Sequence, residues 1–97
     1  MKGYWLILGT EITDAEAQAE YGRLWVAIAN KYNAIIMPSQ IPPQLKEARD
    51  AHRLIVVEFP SYELAIACYE DPAYKEAREF ALKASRRELL ILRGDLG

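Results

Sequence analysis

Two segments of this 97-residue chain are apolar on both of their alternating side-chain sets. In Arg53 to Phe59, "RLIVVEF", apolar residues occupy both sets after the leading Arg53, interrupted only by Glu58. In the run Tyr4 to Ile12, Trp5 and Ile7 fall on one set, and Tyr4, Leu6, Leu8 and Ile12 on the other. A strand with this pattern has to be covered on both faces. The remaining sequence supplies helices enough for one.

The first helix starts at Thr13 to Glu16, "TDAE", which has the spacing of a capping box. Ala17, Tyr21, Leu24, Trp25, Ile28 and Tyr32 then recur at helical spacing, and Asn33 closes the helix in a left-handed turn. Ala34 to Met37 reads as a second, short strand ended by Pro38. Pro38, Pro42 and Pro43 fall within six positions, so regular structure is not expected before about Gln44. Pro60 ends the third strand, and Ser61 caps a helix beginning at Tyr62. That helix restarts at Asp71-Pro72, with Asp71 as the cap and Pro72 at the first helical position. Tyr74, Ala77, Ala81 and Ala84 form its inner stripe, flanked by Phe80. Glu88 to Arg93 is a closing strand, and residues 94–97 are a tail to a single domain spanning 1–97.

The order β-α-β-β-α-β is the ferredoxin-like split pattern, an α+β fold with a four-stranded antiparallel sheet and its helices on one face. Right-handed crossovers put the first and third strands at the centre. The uncovered face would leave about four or five large side chains in water, and each gains about 1.5–3 kcal/mol on burial. A second copy of the same sheet across a two-fold axis is the cover expected, giving a homodimer through the sheet face.

Composition narrows the classes of partner. With 12 basic and 14 acidic residues the net charge is −2, and no basic stripe marks a nucleic-acid surface. The third strand lacks the aromatic and basic pattern of an RNA-recognition domain. No apolar run is long enough for a bilayer or a signal segment, so no membrane association is expected. The one cysteine, Cys68, rules out an internal disulfide framework and fits a cytoplasmic setting. Neither a phosphate-cradling glycine loop nor a nucleophile elbow is present.

Chemistry-bearing residues are few. His52 is the single histidine and Cys68 has no partner at ligand spacing, so neither a metal nor a tightly held cofactor is expected. His52, in the loop before the third strand, reads first as a solvated histidine and second as a pocket acid or base. Glu58 reads first as a paired anchor and second as a carboxylate with a raised pKa, usable as a general base. Tyr4, Tyr62, Tyr69 and Tyr74 combine an apolar body with one polar end, which more often packs than binds. Tyr69 and Tyr74 flank the helix restart and could face inward at one level, their hydroxyls meeting Glu58, Arg78 or a ligand. Cys68 reads as a small core residue, and Arg86-Arg87 as a solvated charge pair before an anion clamp. The candidate ligand-binding set is Tyr4, His52, Glu58, Tyr69, Tyr74 and Arg78, with no catalytic residue assigned.

The stretches "KGYW", "RLIVVEFPS" and "ACYEDPAYKEAR" resemble the domain-of-unknown-function family DUF1330, a branch of the dimeric α/β-barrel superfamily. The resemblance runs from Lys2 to Gly94 and is most specific at Glu58 to Ser61 and at Tyr69 and Pro72-Ala73-Tyr74. Where the family usually carries an arginine and two glycines, this chain has Pro38, Ser39 and Gln40, so that arginine's role does not carry over. The resemblance implies two sheets paired into a barrel and a small-molecule cleft between sheet and helices. Relatives in the wider superfamily include cofactor-free monooxygenases, haem enzymes and small lyases or isomerases, all on one scaffold. The function expected is binding or transformation of a small organic metabolite, aromatic or carboxylated, by a cytoplasmic homodimer. The alternative is a non-enzymatic dimerisation module in which the same residues only pack.

Overall fold

The computed structural model describes residues 1–37 and 44–95. The first strand, β1 (Gly3–Gly9), is paired on both edges over its whole length. On one side it runs antiparallel to β3 (Arg53–Phe59), with Gly3 opposite Phe59 and Gly9 opposite Arg53. On the other it runs antiparallel to β4 (Arg87–Arg93), with Gly3 opposite Arg93 and Gly9 opposite Arg87. A two-residue β2 (Ile35–Ile36) adds to the outer edge of β3, giving the order β2-β3-β1-β4. Strands one and three are central, as the two-sided apolar pattern requires.

Three helices cover one face. They are α1 (Ala15–Tyr32), α2 (Tyr62–Glu70) and α3 (Pro72–Ala84). The odd-numbered residues of β1 and β3 point at them. Trp5, Ile7, Val57 and Phe59 form one cluster with Ile28 of α1, Ala65 and Cys68 of α2, and Tyr74 and Ala77 of α3. Trp5 sits at its centre, its indole N–H donating to the Ala65 carbonyl at 3.0 Å, with the rings of Trp25, Phe59, Tyr69 and Tyr74 around it. Gly3 lets this end of the sheet close on α2. A methyl group there would lie 2.7 Å from the Tyr62 Cα and 2.9 Å from the Ser61 carbonyl oxygen, which are backbone atoms that cannot swing aside.

The even-numbered residues of β1, β3 and β4 make the other face, and Ile35 of β2, opposite Glu58, joins them. Leu54, Leu90, Leu92 and Ile35 are exposed there, with Leu6, Leu8 and Val56 half-buried between them. The chain is thus a ferredoxin-like α+β unit, and its sheet is open: one copy does not close a barrel. Among the described residues, no helix is long and apolar enough to cross a membrane.

Several boundaries differ from the sequence expectation. Asp14, not Thr13, caps α1, its carboxylate accepting the Ala17 N–H at 3.0 Å. Thr13 is instead held to the last turn of α3, its N–H donating to the Ala84 carbonyl at 2.8 Å. The first strand ends at Gly9, and Ile12 lies exposed beyond it. The second strand is shorter than Ala34 to Met37 because the Ala34 N–H is still spent on the Ala29 carbonyl of α1. The closing strand gains Arg87. Residues 94 and 95 are no free tail, since the Gly94 N–H donates to the Lys2 carbonyl and the Lys2 N–H to Asp95. The proline-rich stretch 38–43, with its departure from the family pattern, and residues 96–97 lie outside the described residues.

The expected left-handed turn is present at Asn33, with φ of 53°. Ser61 caps α2, and Asp71 caps α3 ahead of Pro72. Asp71 does more than cap. One carboxylate oxygen accepts the Ala73 N–H at 2.8 Å, and the other accepts from the Lys31 ammonium at 2.8 Å and the Tyr32 hydroxyl at 2.5 Å. The end of α1 is thereby tied to the α2–α3 junction. Lys31 first, then Tyr32 and the Ala73 N–H, hold this carboxyl far below the usual range.

A carboxyl held below its unfolded value stabilises the fold above that value and loses the contribution as pH falls. The thermal midpoint is therefore expected to fall from about pH 5 downward. Asp71→Asn should lower the midpoint at pH 7 and flatten that part of the acid limb. An unchanged acid limb in the variant would remove Asp71 from its cause.

Candidate functional site

One rung of the sheet differs from the others. Gly9 of β1 stands between Arg53 of β3 and Arg87 of β4, and all three belong to the helix-facing set. With no side chain at position 9, the Arg53 guanidinium lies down over the middle strand. A methyl on Gly9 would come within 2.6 Å of the Arg53 Nη2. Arg53 donates to the Ser85 hydroxyl at 3.2 Å and to the Thr10 carbonyl at 3.4 Å. Arg87 reaches inward, donating through Nη2 to the Tyr74 hydroxyl and through Nη1 to the Tyr21 hydroxyl at 3.5 Å, with its guanidinium 5.0 Å from the Tyr21 ring centre. The Tyr21 and Tyr74 hydroxyls are themselves 3.1 Å apart.

Above this rung lies a cavity of about 160 Å³ between the sheet and α1. The sheet contributes Trp5, Ile7, Ile36, Ile55 and Val57, with Arg53 and Arg87 at the polar end. Gln18, Tyr21, Gly22 and Trp25 of α1 form the roof, and Ala81 and Ser85 the flank. The walls are apolar and aromatic, and the polar groups gather at one end, the usual build of a small-molecule site. Two larger hollows, about 350 and 340 Å³, are open clefts beside Thr10, Asp50 and Arg86 at the sheet end.

Electrostatics set what the cavity can do. Burial lowers the Arg53 pKa, and the Arg87 charge lowers it further. Burial also works against the Arg87 charge, but the Tyr21 and Tyr74 oxygens outweigh it. Burial pushes the Tyr74 phenol far above its usual value, so it stays protonated. Among the described residues, neither arginine has a carboxylate within ion-pair distance. No Asp, Glu, His or Cys lines the cavity among those residues. Cations and hydroxyls are available there.

The residues expected from sequence do not share one cavity. Tyr4 and Glu58 face each other across β1 and β3 on the open side of the sheet, the Tyr4 hydroxyl donating to Glu58 Oε1 at 3.1 Å. Lys2 pairs with the same oxygen at 2.9 Å and, with Tyr4, holds the Glu58 carboxyl below its usual value. A base with a raised pKa is therefore not what Glu58 is; it is the anchored partner of Lys2 and Tyr4. Tyr69 and Tyr74 lie under the helices, rings 5.5 Å apart, and Tyr74 stands directly behind the cavity through its bonds to Tyr21 and Arg87. Arg78 donates to the Tyr69 hydroxyl at 3.0 Å, in a recess between α3 and β4 that adjoins the cavity at Arg87. His52 is exposed and borders an open polar cleft. Cys68 is fully buried, its thiol pushed up to about 12 by burial. The pair Arg86-Arg87 splits, Arg86 turning to solvent and Asp50 while Arg87 turns inward.

Arg53, Tyr21 and Trp25 were not among the candidates, and Arg87 was read first as a solvated charge and only second as part of an anion clamp. The signal was available in the period of two: Arg53 shares its face with Ile55 and Val57, and Arg87 shares its face with Leu89 and Ile91. A charge at the end of an inward apolar set can turn in under the helices, as Arg53 and Arg87 do, or outward, as Arg93 does on the same face of β4. Placing both beside Gly9 needs the register, which the sequence does not print.

Comparison with known proteins agrees with this architecture. The profile of the family described as Domain of unknown function (DUF1330) matches residues 2–95. No curated protein matches the chain. Among solved structures, the methylated RPA0582 protein, of unknown function, from Rhodopseudomonas palustris aligns with a TM-score of 0.70 at 22% identity, over 96% of this chain and 80% of that one. A protein from Jannaschia sp. CCS1, described as dimeric, ferredoxin-like and of unknown function, aligns at 0.66 and 13% identity over 97% and 100%. A protein from Nitrosomonas europaea, provisionally described as an antibiotic biosynthesis monooxygenase, aligns at 0.56 and 16% identity over the full length of both chains.

Gly22 generates a direct test of the roof. It sits in the middle of α1 with an ordinary helical backbone, and a methyl there would meet nothing within 4 Å. Packing does not require a glycine, which costs a helix interior about 1 kcal/mol relative to alanine. Gly22→Ala is expected to raise the thermal midpoint by about 4–8 °C. A lowered midpoint would show a close contact at this point of the roof.

Proposed function

The chain belongs to the DUF1330 family, and from that premise we propose that it is a ligand-binding homodimer, each subunit holding a small organic molecule between its sheet and α1. The observation that carries this reading is the cavity itself: an apolar, aromatic-walled space with its polar groups gathered at one end. A module that only packed would gain by filling that space, since interiors close to crystalline density. Among the described residues the lining offers cations and hydroxyls and no carboxylate, histidine or thiol, which favours binding, or chemistry driven by the bound molecule, over catalysis by those residues. The provisional monooxygenase description of the Nitrosomonas europaea protein is in keeping with a small-molecule site on this scaffold.

The dimer reading rests on the open sheet face. Leu90 is 55% exposed and Ile35 58% exposed, beside Leu54 and Leu92, an apolar surface that a second copy would cover. Proteins described as dimeric share the fold. The buried, unpaired Cys68 is in keeping with a cytoplasmic setting.

Two measurements test the reading. A thermal-shift screen of small metabolites is expected to return compounds that raise the midpoint, because a ligand bound only by the folded state stabilises it. A screen in which nothing does so at millimolar concentration speaks against a binding function. In sedimentation at micromolar concentration the chain is expected to run as a dimer and Leu90→Glu as a folded monomer. Monomeric wild type would remove the dimer.

A further inference from the structure

Arg53 and Arg87 pose a problem that the free protein leaves unsolved. They enter the same cavity from strands on either side of β1, two strand spacings apart, roughly 9–10 Å at the backbone. The hydroxyls of Ser85, Tyr21 and Tyr74 satisfy some of their donors but neutralise neither charge. Both guanidiniums are half-buried, and two like charges that share a largely apolar space repel through a medium that screens less well than water. Among the described residues no carboxylate pairs with either. Burial and the neighbouring Arg87 charge both act against the Arg53 cation. Gly9 adds to this, because it is what allows the Arg53 guanidinium to lie at the centre of the rung.

We propose that the cavity takes a compact apolar monocarboxylate, its carboxylate held between Arg53 and Arg87 and its apolar body against Trp5 and Trp25. The missing countercharge is then supplied by the ligand. Guanidinium groups suit it, since their planar forks bind a carboxylate through paired hydrogen bonds. Size sets the rest. A cavity of roughly 150 Å³ holds a benzene-sized guest, and this one, at about 160 Å³, takes a single ring or a short branched chain. Opposite the cations the walls are Ile7, Ile55 and Val57 with the two indoles, so the far end of the ligand is uncharged.

This inference rests on the binding reading above, and three probes of one size separate the two: benzoate, benzyl alcohol and benzylamine. The full chain is titrated with each, following the indole N–H resonances of Trp5 and Trp25 and the thermal midpoint. Benzoate is expected to shift both indoles and to bind more than about tenfold tighter than benzyl alcohol, with benzylamine weakest. Arg53→Met should abolish the preference for the acid while changing the midpoint of the free protein little, because among the described residues its charge has no carboxylate partner and its hydrogen bonds to Ser85 and Thr10 are long. An arginine with a purely structural role would lower the midpoint instead. Gly9→Ala provides a variant that keeps both charges. Its methyl displaces only a flexible side-chain end, so it should fold as wild type and bind benzoate more weakly. Equal affinity for benzoate and benzyl alcohol would overturn the carboxylate inference and leave the binding site standing. Failure of all three probes at millimolar concentration would overturn both.

Discussion

Pairing of β1 on both edges, in one unbroken register, is the constraint on which the rest of this structure depends. Because each β1 residue has a partner on either side, every rung across β3, β1 and β4 sends three side chains to one face. The Val57–Trp5–Ile91 rung gives the core its centre. The Arg53–Gly9–Arg87 rung, four residues along, sends two guanidiniums to that same face with nothing between them. A slip of one residue in either pairing would send an arginine to the open face and a leucine under the helices. The close approach of Gly3 to the backbone of Tyr62 and Ser61 fixes how the sheet meets α2, and so where α3 and α1 follow.

Within that frame the helix-facing side is divided by chemistry. Toward the Gly3 end it is dry and closed, with Trp5 in contact with four other aromatic rings and its one polar atom satisfied by Ala65. Toward the Gly9 end the packing opens and the charges enter. Departures from the most stable choice cluster there: a helix-interior glycine at position 22, a strand glycine at 9, and two inward arginines. Each costs stability, and none is needed to build the fold. Sequences that break local rules in one place usually do so at a site under a second demand.

Most of the fold was legible. The inner stripe Tyr74, Ala77, Ala81 and Ala84 is fully or almost fully buried, and the restart at Asp71-Pro72 and the turn at Asn33 stand where their chemistry puts them. These are local signals, decided by residues within a turn of one another. The α1 cap fell to Asp14 because Thr13 is drawn to Ala84, a residue 71 positions away. The site was less legible for the same reason. Glu58 stood out as the acid in a greasy strand, and Tyr69 and Tyr74 as hydroxyls needing partners. What they meet, Lys2 and Tyr4 in one case, Arg78 and Arg87 in the other, is set by packing between distant segments.

Alternation nevertheless contained the deciding fact. Tyr4 and Glu58 are even-numbered on paired strands, while Trp5, Val57 and both inward arginines are odd, so no single cavity could gather Glu58 with the residues around Trp5. The sheet is thus a partition between two chemistries. Its open side is a broad apolar surface flanked by charge, the Lys2–Glu58 pair at one end and Glu88 with the Glu47–Asp50 loop at the other, which suits a large, flat contact. Its covered side holds a small cavity with two cations that, among the described residues, have no carboxylate partner. Since β1 and β3 carry residues of both faces alternately, anything that ordered the open face would stiffen the strands that hold Gly9 and Arg53. A cover on the sheet face and a guest in the cavity would therefore stabilise the same two strands from opposite sides.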